Sequence, residues 1–121
     1  MSAFSRRAIT LASLCLSLGS LSVFGQEGTL TLTINNNTSG PLLVNVYDMG
    51  ASPGQQVLAN RAIYGNASVT VSVSQDASGK GHVRWTAMNQ DPDMRMCGHD
   101  DKASLNDGDT VNVYADGDCS G

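Results

Sequence analysis

The sequence predicts a small all-β domain. Apolar and polar residues alternate with a period of two along most of the chain, and helical spacing is almost absent. Short strand-like segments are separated by turns rich in Gly, Asn, Asp and Pro. This pattern favours a small antiparallel β-sandwich of immunoglobulin-like or transthyretin-like type, with six to seven strands and one disulfide. A closed barrel is the alternative architecture.

The first half of the domain carries three predicted strands. In Thr29–Ile34, leucine and isoleucine alternate with threonine, as in a strand with one buried face. A turn-forming run, Asn35–Pro41, separates it from the second strand, Leu42–Asp48, so the two form a hairpin with a long connection. A weaker third strand, Val57–Ile63, follows the Pro53-Gly54 turn.

Three further strands are predicted in the second half. The alternation is clearest in Ala67–Ser74, where alanine and valines on the core side alternate with Ser and Thr. In His82–Met88 the same alternation turns Trp85 inward and predicts that it belongs to the core. The last strand, Thr110–Ala115, places its valines inside and Tyr114 outside.

The N-terminal segment has the pattern of a secretory signal peptide. Arg6-Arg7 precede the apolar run Ala8–Leu18, and Val23-Phe24-Gly25 fits a cleavage site. We expect residues 1–25 to be cleaved and residues 26–121 to form one domain, secreted or periplasmic, with no membrane insertion after cleavage. The paired arginines favour a bacterial source and leave general and twin-arginine export both open.

Removal of the leader leaves an acidic chain. Five of the seven Lys and Arg residues remain against all eleven Asp and Glu, so the net charge becomes −6. Nucleic acids and anionic membranes need clustered Lys and Arg, which are absent, so they are excluded as partners. We expect an unknown protein or glycan surface as the partner, no cofactor, and a monomeric or weakly associating chain.

Removal of the leader also leaves an even pair of cysteines, Cys97 and Cys119, for which we predict a disulfide. Such a bridge closes a loop of roughly 23 residues and stabilises the fold by about 3 kcal/mol. Between the predicted strands, Asn89–Asp109 is a stretch of about twenty residues without alternation, compatible with a short extra strand near Arg95–Cys97. Long irregular segments often carry function, so a binding site is expected there.

The sequence favours a non-catalytic binding, cell-envelope or host-interaction module. Recognition would be carried by the Asn89–Asp109 loop, held against the last strand by the disulfide. The candidate contact residues are two tyrosines predicted on outward strand faces and two cationic or titratable side chains of the loop: Tyr47, Tyr114, Arg95 and His99.

Two alternatives remain open. The first is a periplasmic metal-binding module in the 91–109 loop, where thioether and imidazole groups suit Cu(I) and paired carboxylates suit Ca²⁺. Asp-Gly pairs are also ordinary turn residues, which explains the acidic clusters without a metal. The second is a small hydrolase built on His99, a neighbouring acid and a serine. The candidate metal ligands are Met94, Met96, His99, Asp100 and Asp101.

Overall fold

The computed structural model describes residues 28–119, so the predicted leader lies outside the described residues. This part of the chain contains eight β-strands and no helix, and hence no helical segment that could cross a bilayer. The strands are β1 (Thr29–Asn36), β2 (Leu42–Asp48), β3 (Gln55–Ile63), β4 (Ser68–Ser74), β5 (Gly81–Asn89), β6 (Met96–Leu105), β7 (Thr110–Val113) and β8 (Gly117–Asp118).

The strands form two sheets. One has five strands in the order β8-β6-β5-β2-β3, and the other has three in the order β4-β1-β7. Described neighbours run antiparallel, except that β7 lies parallel to β1. The predicted all-β sandwich is therefore confirmed, with seven strands of four residues or more and the two-residue β8 in addition.

A single apolar core joins the two sheets. Both sheets contribute alternate residues to it, because side chains in a strand point to opposite faces in turn. Trp85 is completely buried, which confirms its predicted place in the core. The core comprises Leu30, Leu32, Ile34, Leu42, Val44, Val46, Ile63, Val71, Val73, Val83, Trp85, Ala87, Val111 and Val113.

Two buried polar side chains tie the ends of the strands together. Asn36 donates to the carbonyl oxygens of Gly40 and Ile63, both at 2.8 Å, and so fixes the β1–β2 connection. At the other end, Asp48 accepts from the backbone N–H of Ser74 at 2.7 Å, which links β2 of one sheet to β4 of the other. Both groups are satisfied, as most buried polar groups are. The Nε1 atom of Trp85 differs, because it is buried with no hydrogen-bond partner among the described residues.

The prediction that residues 89–109 are irregular is wrong for about half of this segment. Residues 96–105 form β6, so the irregular part shrinks to residues 90–95 and a short turn at 106–109. Most side chains of β6 are exposed or half-buried, so the strand shows no alternation of apolar and polar residues. Its buried residue is Gly98, which the backbone of residues 114–115 covers at close range.

The predicted outward position of Tyr114 is also wrong. Strand β7 ends at Val113, and the chain then leaves the sheet, so the alternation no longer holds at the next residue. Tyr114 instead packs against the core, with its ring 5.0 Å from that of Trp85 in an edge-to-face arrangement. This contact anchors the C-terminal segment to the inside of the sandwich.

Candidate functional site

The outer face of the five-stranded sheet carries the densest group of polar side chains. Cross-strand register places Arg84 of β5 beside Tyr47 of β2 and Asp101 of β6. Thr86 lies between Asn45 and His99 in the same way. We call this surface the β5–β6 face and define it by Tyr47, His82, Arg84, Thr86, His99 and Asp101.

One carboxylate organises the charges of this face. The Oδ1 atom of Asp101 lies 2.5 Å from Nε2 of His82, and its Oδ2 atom lies 3.5 Å from the Arg84 guanidinium. The hydrogen bond from His82, followed by the charges of His82 and Arg84, lowers the pKa of Asp101 below its usual value. The carboxylate therefore stays ionised at neutral pH and is balanced by its neighbours on the same surface.

A β-bulge shapes the centre of the face. The β2–β3 register shifts at Asn45, and Asn60 opposite it has a φ of 45°, in the left-handed region that asparagine tolerates. The Asn45 Oδ1 atom accepts from the Asn60 backbone N–H at 2.9 Å and from Gln56 Nε2 at 2.7 Å. Its Nδ2 group donates to Thr86 Oγ1 at 3.4 Å. The amide thus holds the bulge and the neighbouring hydroxyl in one network.

A shallow depression of about 320 Å³ opens beside this network. Its floor is apolar, with Leu43, Met88 and Cys97, while Asn60 and His99 border it. Small-molecule and sugar sites commonly combine an apolar surface with a few placed polar groups. The depression is open to solvent, so it suits contact with an extended surface.

The disulfide secures the margin of the face. The sulfur atoms of Cys97 and Cys119 are 2.07 Å apart, so the predicted bridge is confirmed. Gly117 of β8 pairs with Cys97 of β6 directly beside it. Strand β6 is therefore held by β5 on one side and, at Met96 and Cys97, by β8 and the bridge on the other.

The predicted contact residues are only partly brought together. Tyr47 and His99 lie on the same outer face but on strands separated by β5. Arg95 is exposed in the loop before β6, and its guanidinium donates to Met88 Sδ at 3.5 Å, at the edge of the depression. Tyr114 packs against the core, although it borders a second depression together with His99.

The geometry gives little support to the candidate metal ligands. Asp100 and Asp101 are consecutive in β6, so their side chains point to opposite faces of the sheet. Cys97 is bridged and carries no free thiolate. Met94 is 67% exposed. Within residues 28–119, no group of three or more His, Cys, Asp or Glu side chains is placed to hold a metal ion.

The acidic pairs have a structural role that needs no ion. Asp91 accepts from the backbone N–H groups of Asp93 and Met94, at 2.9 and 3.3 Å. Asp107 accepts from the N–H of Thr31 at 2.7 Å, which closes the turn between β6 and β7 against β1. These contacts are the local hydrogen bonds by which aspartate stabilises turns.

The triad proposed around His99 does not form among the described residues. Asp101 pairs with His82, and no serine or threonine hydroxyl in residues 28–119 is hydrogen-bonded to either histidine. Sequence reasoning did not assign His82, Arg84 and Thr86 to a site. Their alternation with the core residues of β5 was the signal that they share an outer face.

Comparison of the chain with protein-family models, with curated proteins and with solved structures finds no match. No relative therefore indicates what the β5–β6 face binds.

Proposed function

We propose that this chain is a small exported, non-catalytic recognition module that binds a glycan surface through the β5–β6 face. The observation that carries the proposal is the ordered polar network of this face, in which the Asp101 carboxylate binds both His82 and Arg84. A face whose side chains are held before binding loses less conformational entropy when a ligand arrives. Its site of action would be the cell envelope or the host interface.

The chemistry of the face favours an uncharged, hydroxyl-rich ligand. Its arginine and aspartate balance each other, so this pair adds no net charge to the face. The remaining groups are the Thr86 hydroxyl, two imidazoles and the half-buried ring of Tyr47, and the amides of Asn45 and Asn60 lie beside them. A protein partner usually requires a larger apolar centre with aromatic anchors than this depression offers.

The proposed recognition element is a pair of strands, whereas the sequence predicts recognition by the Asn89–Asp109 loop. Strand β6 and its neighbour β5 provide the surface, while the loop of residues 90–95 lies at one end of it. Sites on strands are held more rigidly than sites on loops. The disulfide then supports recognition by fixing the margin of β6.

The test is a glycan array and a displayed peptide library, each probed with the exported chain. The double variant Thr86→Arg/His99→Glu changes the face at two exposed positions. A matched control, Thr110→Arg/Asn112→Glu, places the same charges on exposed positions of the other sheet. We expect glycan binding by the native chain and the control, and a loss of about tenfold or more in the Thr86/His99 variant.

Other results would contradict the proposal in distinct ways. Equal binding by both double variants would remove the β5–β6 face as the site. Binding to peptides but not to glycans, with the same sensitivity at Thr86 and His99, would make the partner a protein. An absence of binding in both libraries would count against a recognition role.

A further inference from the structure

We infer that two copies of this chain pair through the free edge of β4, in a weak and reversible two-fold dimer. Strand β4 lies at one margin of the three-stranded sheet and is bonded on its inner side to β1. Its sequence, Ser-Val-Thr-Val-Ser-Val-Ser, is uncharged, contains no proline and is rich in β-branched residues. These are the properties of a strand that accepts another strand along its edge.

The backbone groups that face outward follow from the register. On β1, Thr33 N–H donates to Asp109 and Thr31 C=O accepts from Gly108, so the odd-numbered residues point toward β7. The even-numbered residues of β1 therefore bond to β4, where their partners are Val69, Val71 and Val73.

The polar residues of β4 consequently turn their backbone groups away from the sheet. Ser68, Thr70 and Ser72 present N–H and C=O groups at the open edge, where no other described strand pairs with them. Ser74 differs, because its N–H is held by the Asp48 carboxylate. The open hydrogen-bonding edge of β4 therefore consists of the backbone groups of Ser68, Thr70 and Ser72.

The other strand edges in the described part of the chain are shorter, interrupted or charged. Strand β8 has two residues and β7 has four. Beyond its first two residues, β6 has no described strand on its outer side, but it carries three consecutive charged residues, Asp100–Lys102. The β3 edge carries the bulge, with Asn60 at a φ of 45°, and the charged Arg61. Short length, bulges and charges are the usual protections against edge pairing. Strand β4 has seven residues and none of these protections.

The chemistry of β4 makes a second copy the fitting partner. A two-fold axis at Thr70 pairs Thr70 with itself and Ser68 with Ser72 of the partner copy, each pair exchanging both N–H···O bonds. This register uses all three open residues and leaves Ser74 outside. No charge opposes a like charge, because the strand carries none.

An exposed aromatic residue lies beside this edge. Tyr64 is 75% exposed in the turn that leads into β4, where its carbonyl accepts from Ala67 N–H at 3.0 Å.

Two strand edges bury less area than a stable interface of about 1,200–2,000 Å², so we expect dissociation constants of roughly 0.1–1 mM. The dimer is then populated at high local concentration.

Sedimentation equilibrium of the exported chain, from about 10 μM to about 1 mM, tests the dimer. Thr70→Lys and Thr70→Glu each place like charges across the axis, and we expect either variant alone to weaken association about tenfold or more. An equimolar mixture of the two variants should restore association, since opposite charges then meet. Thr110→Lys and Thr110→Glu, on exposed β7, are the matched controls and should behave as the native chain.

A proline variant separates edge pairing from side-chain effects. Because the N–H of Thr70 points outward, Thr70→Pro removes no bond within the sheet but removes a bond of the dimer. We expect this variant to fold and to remain monomeric. A native chain that stays monomeric to 1 mM overturns the inference. So does a failure of the charge mixture to restore association, or an equal loss in the Thr110 variants.

Discussion

Replacement of Gly98 by alanine tests how the C-terminal segment holds β6. A Cβ atom at this position would lie 2.1 Å from the carbonyl oxygen of Tyr114, 3.0 Å from its carbonyl carbon and 3.3 Å from the Cα of Ala115. All three atoms belong to the backbone, so no side-chain rotation relieves the contact. Ordinary contact begins near 3.4 Å, so the segment must retreat by more than about 1 Å.

The expected cost follows from the contacts that this retreat disturbs. Overpacking against rigid neighbours costs about 1–3 kcal/mol. Moving Tyr114 also weakens its edge-to-face contact with Trp85, worth about 0.5–1.5 kcal/mol. Alanine returns about 0.5–1 kcal/mol because it loses less backbone entropy than glycine in a strand. These ranges combine to about 0.5–4 kcal/mol, so we expect Gly98→Ala to lower the free energy of unfolding by about 2 kcal/mol.

Urea unfolding followed by tryptophan fluorescence measures this loss, since the chain has one tryptophan, Trp85. Gly117→Ala is the matched control on the neighbouring strand, because its Cβ would meet the Cys97 carbonyl oxygen at an ordinary 3.5 Å. We expect the control to change stability by less than about 0.5 kcal/mol. If the two variants are equally stable, the C-terminal segment does not pack on Gly98 as described.

Three further predictions concern stability. The double variant Cys97→Ser/Cys119→Ser should lose about 3 kcal/mol, as expected for a bridge between residues 22 apart, and reductant should destabilise only the native chain. Asn36→Ala should cost about 1–3 kcal/mol in urea unfolding, because the Ile63 carbonyl loses this donor while the Gly40 carbonyl keeps the Thr38 hydroxyl, and an unchanged stability would contradict this role. Folding lowers the pKa of Asp101 below 3.8, so its stabilising contribution is present above about pH 4 and is lost as the pH falls through the folded-state pKa. Asp101→Asn should therefore be less stable than the native chain at pH 6, by under 1 kcal/mol for a side chain 45% exposed, and this difference should shrink as the pH falls below 4.

The parts of the fold that sequence reasoning identified are those where burial leaves a mark on side chains. In β1, Leu30 and Leu32 face the core while the threonines face solvent, and the same contrast marks β2, β4 and β5. A strand with one buried face must alternate in this way, so its position can be read from one sequence. The bridge was equally accessible, because residues 26–121 contain one possible cysteine pair.

Strand β6 shows no such alternation, because nine of its ten residues are exposed or half-buried and the buried one is Gly98. Gly98 is buried under the carbonyl of Tyr114, and a glycine in a run of charged residues looks like a loop. The contact between His82 and Asp101 could not be predicted either, because it depends on the register between β5 and β6. Tyr114 was misplaced because β7 ends one residue before it.

The β5–β6 face and the open β4 edge lie on different sheets. Strand β8 and the bridge to Cys119 cover the β6 margin at Met96 and Cys97, whereas the β4 margin of the other sheet has no described strand beside it. A dimer formed at β4 therefore leaves both β5–β6 faces uncovered. Two linked faces bind a surface of repeated ligands more tightly than one, without any new contact, provided that both can reach it. Thr70→Pro should then weaken binding to a densely coated glycan surface, while its affinity for one soluble glycan stays unchanged.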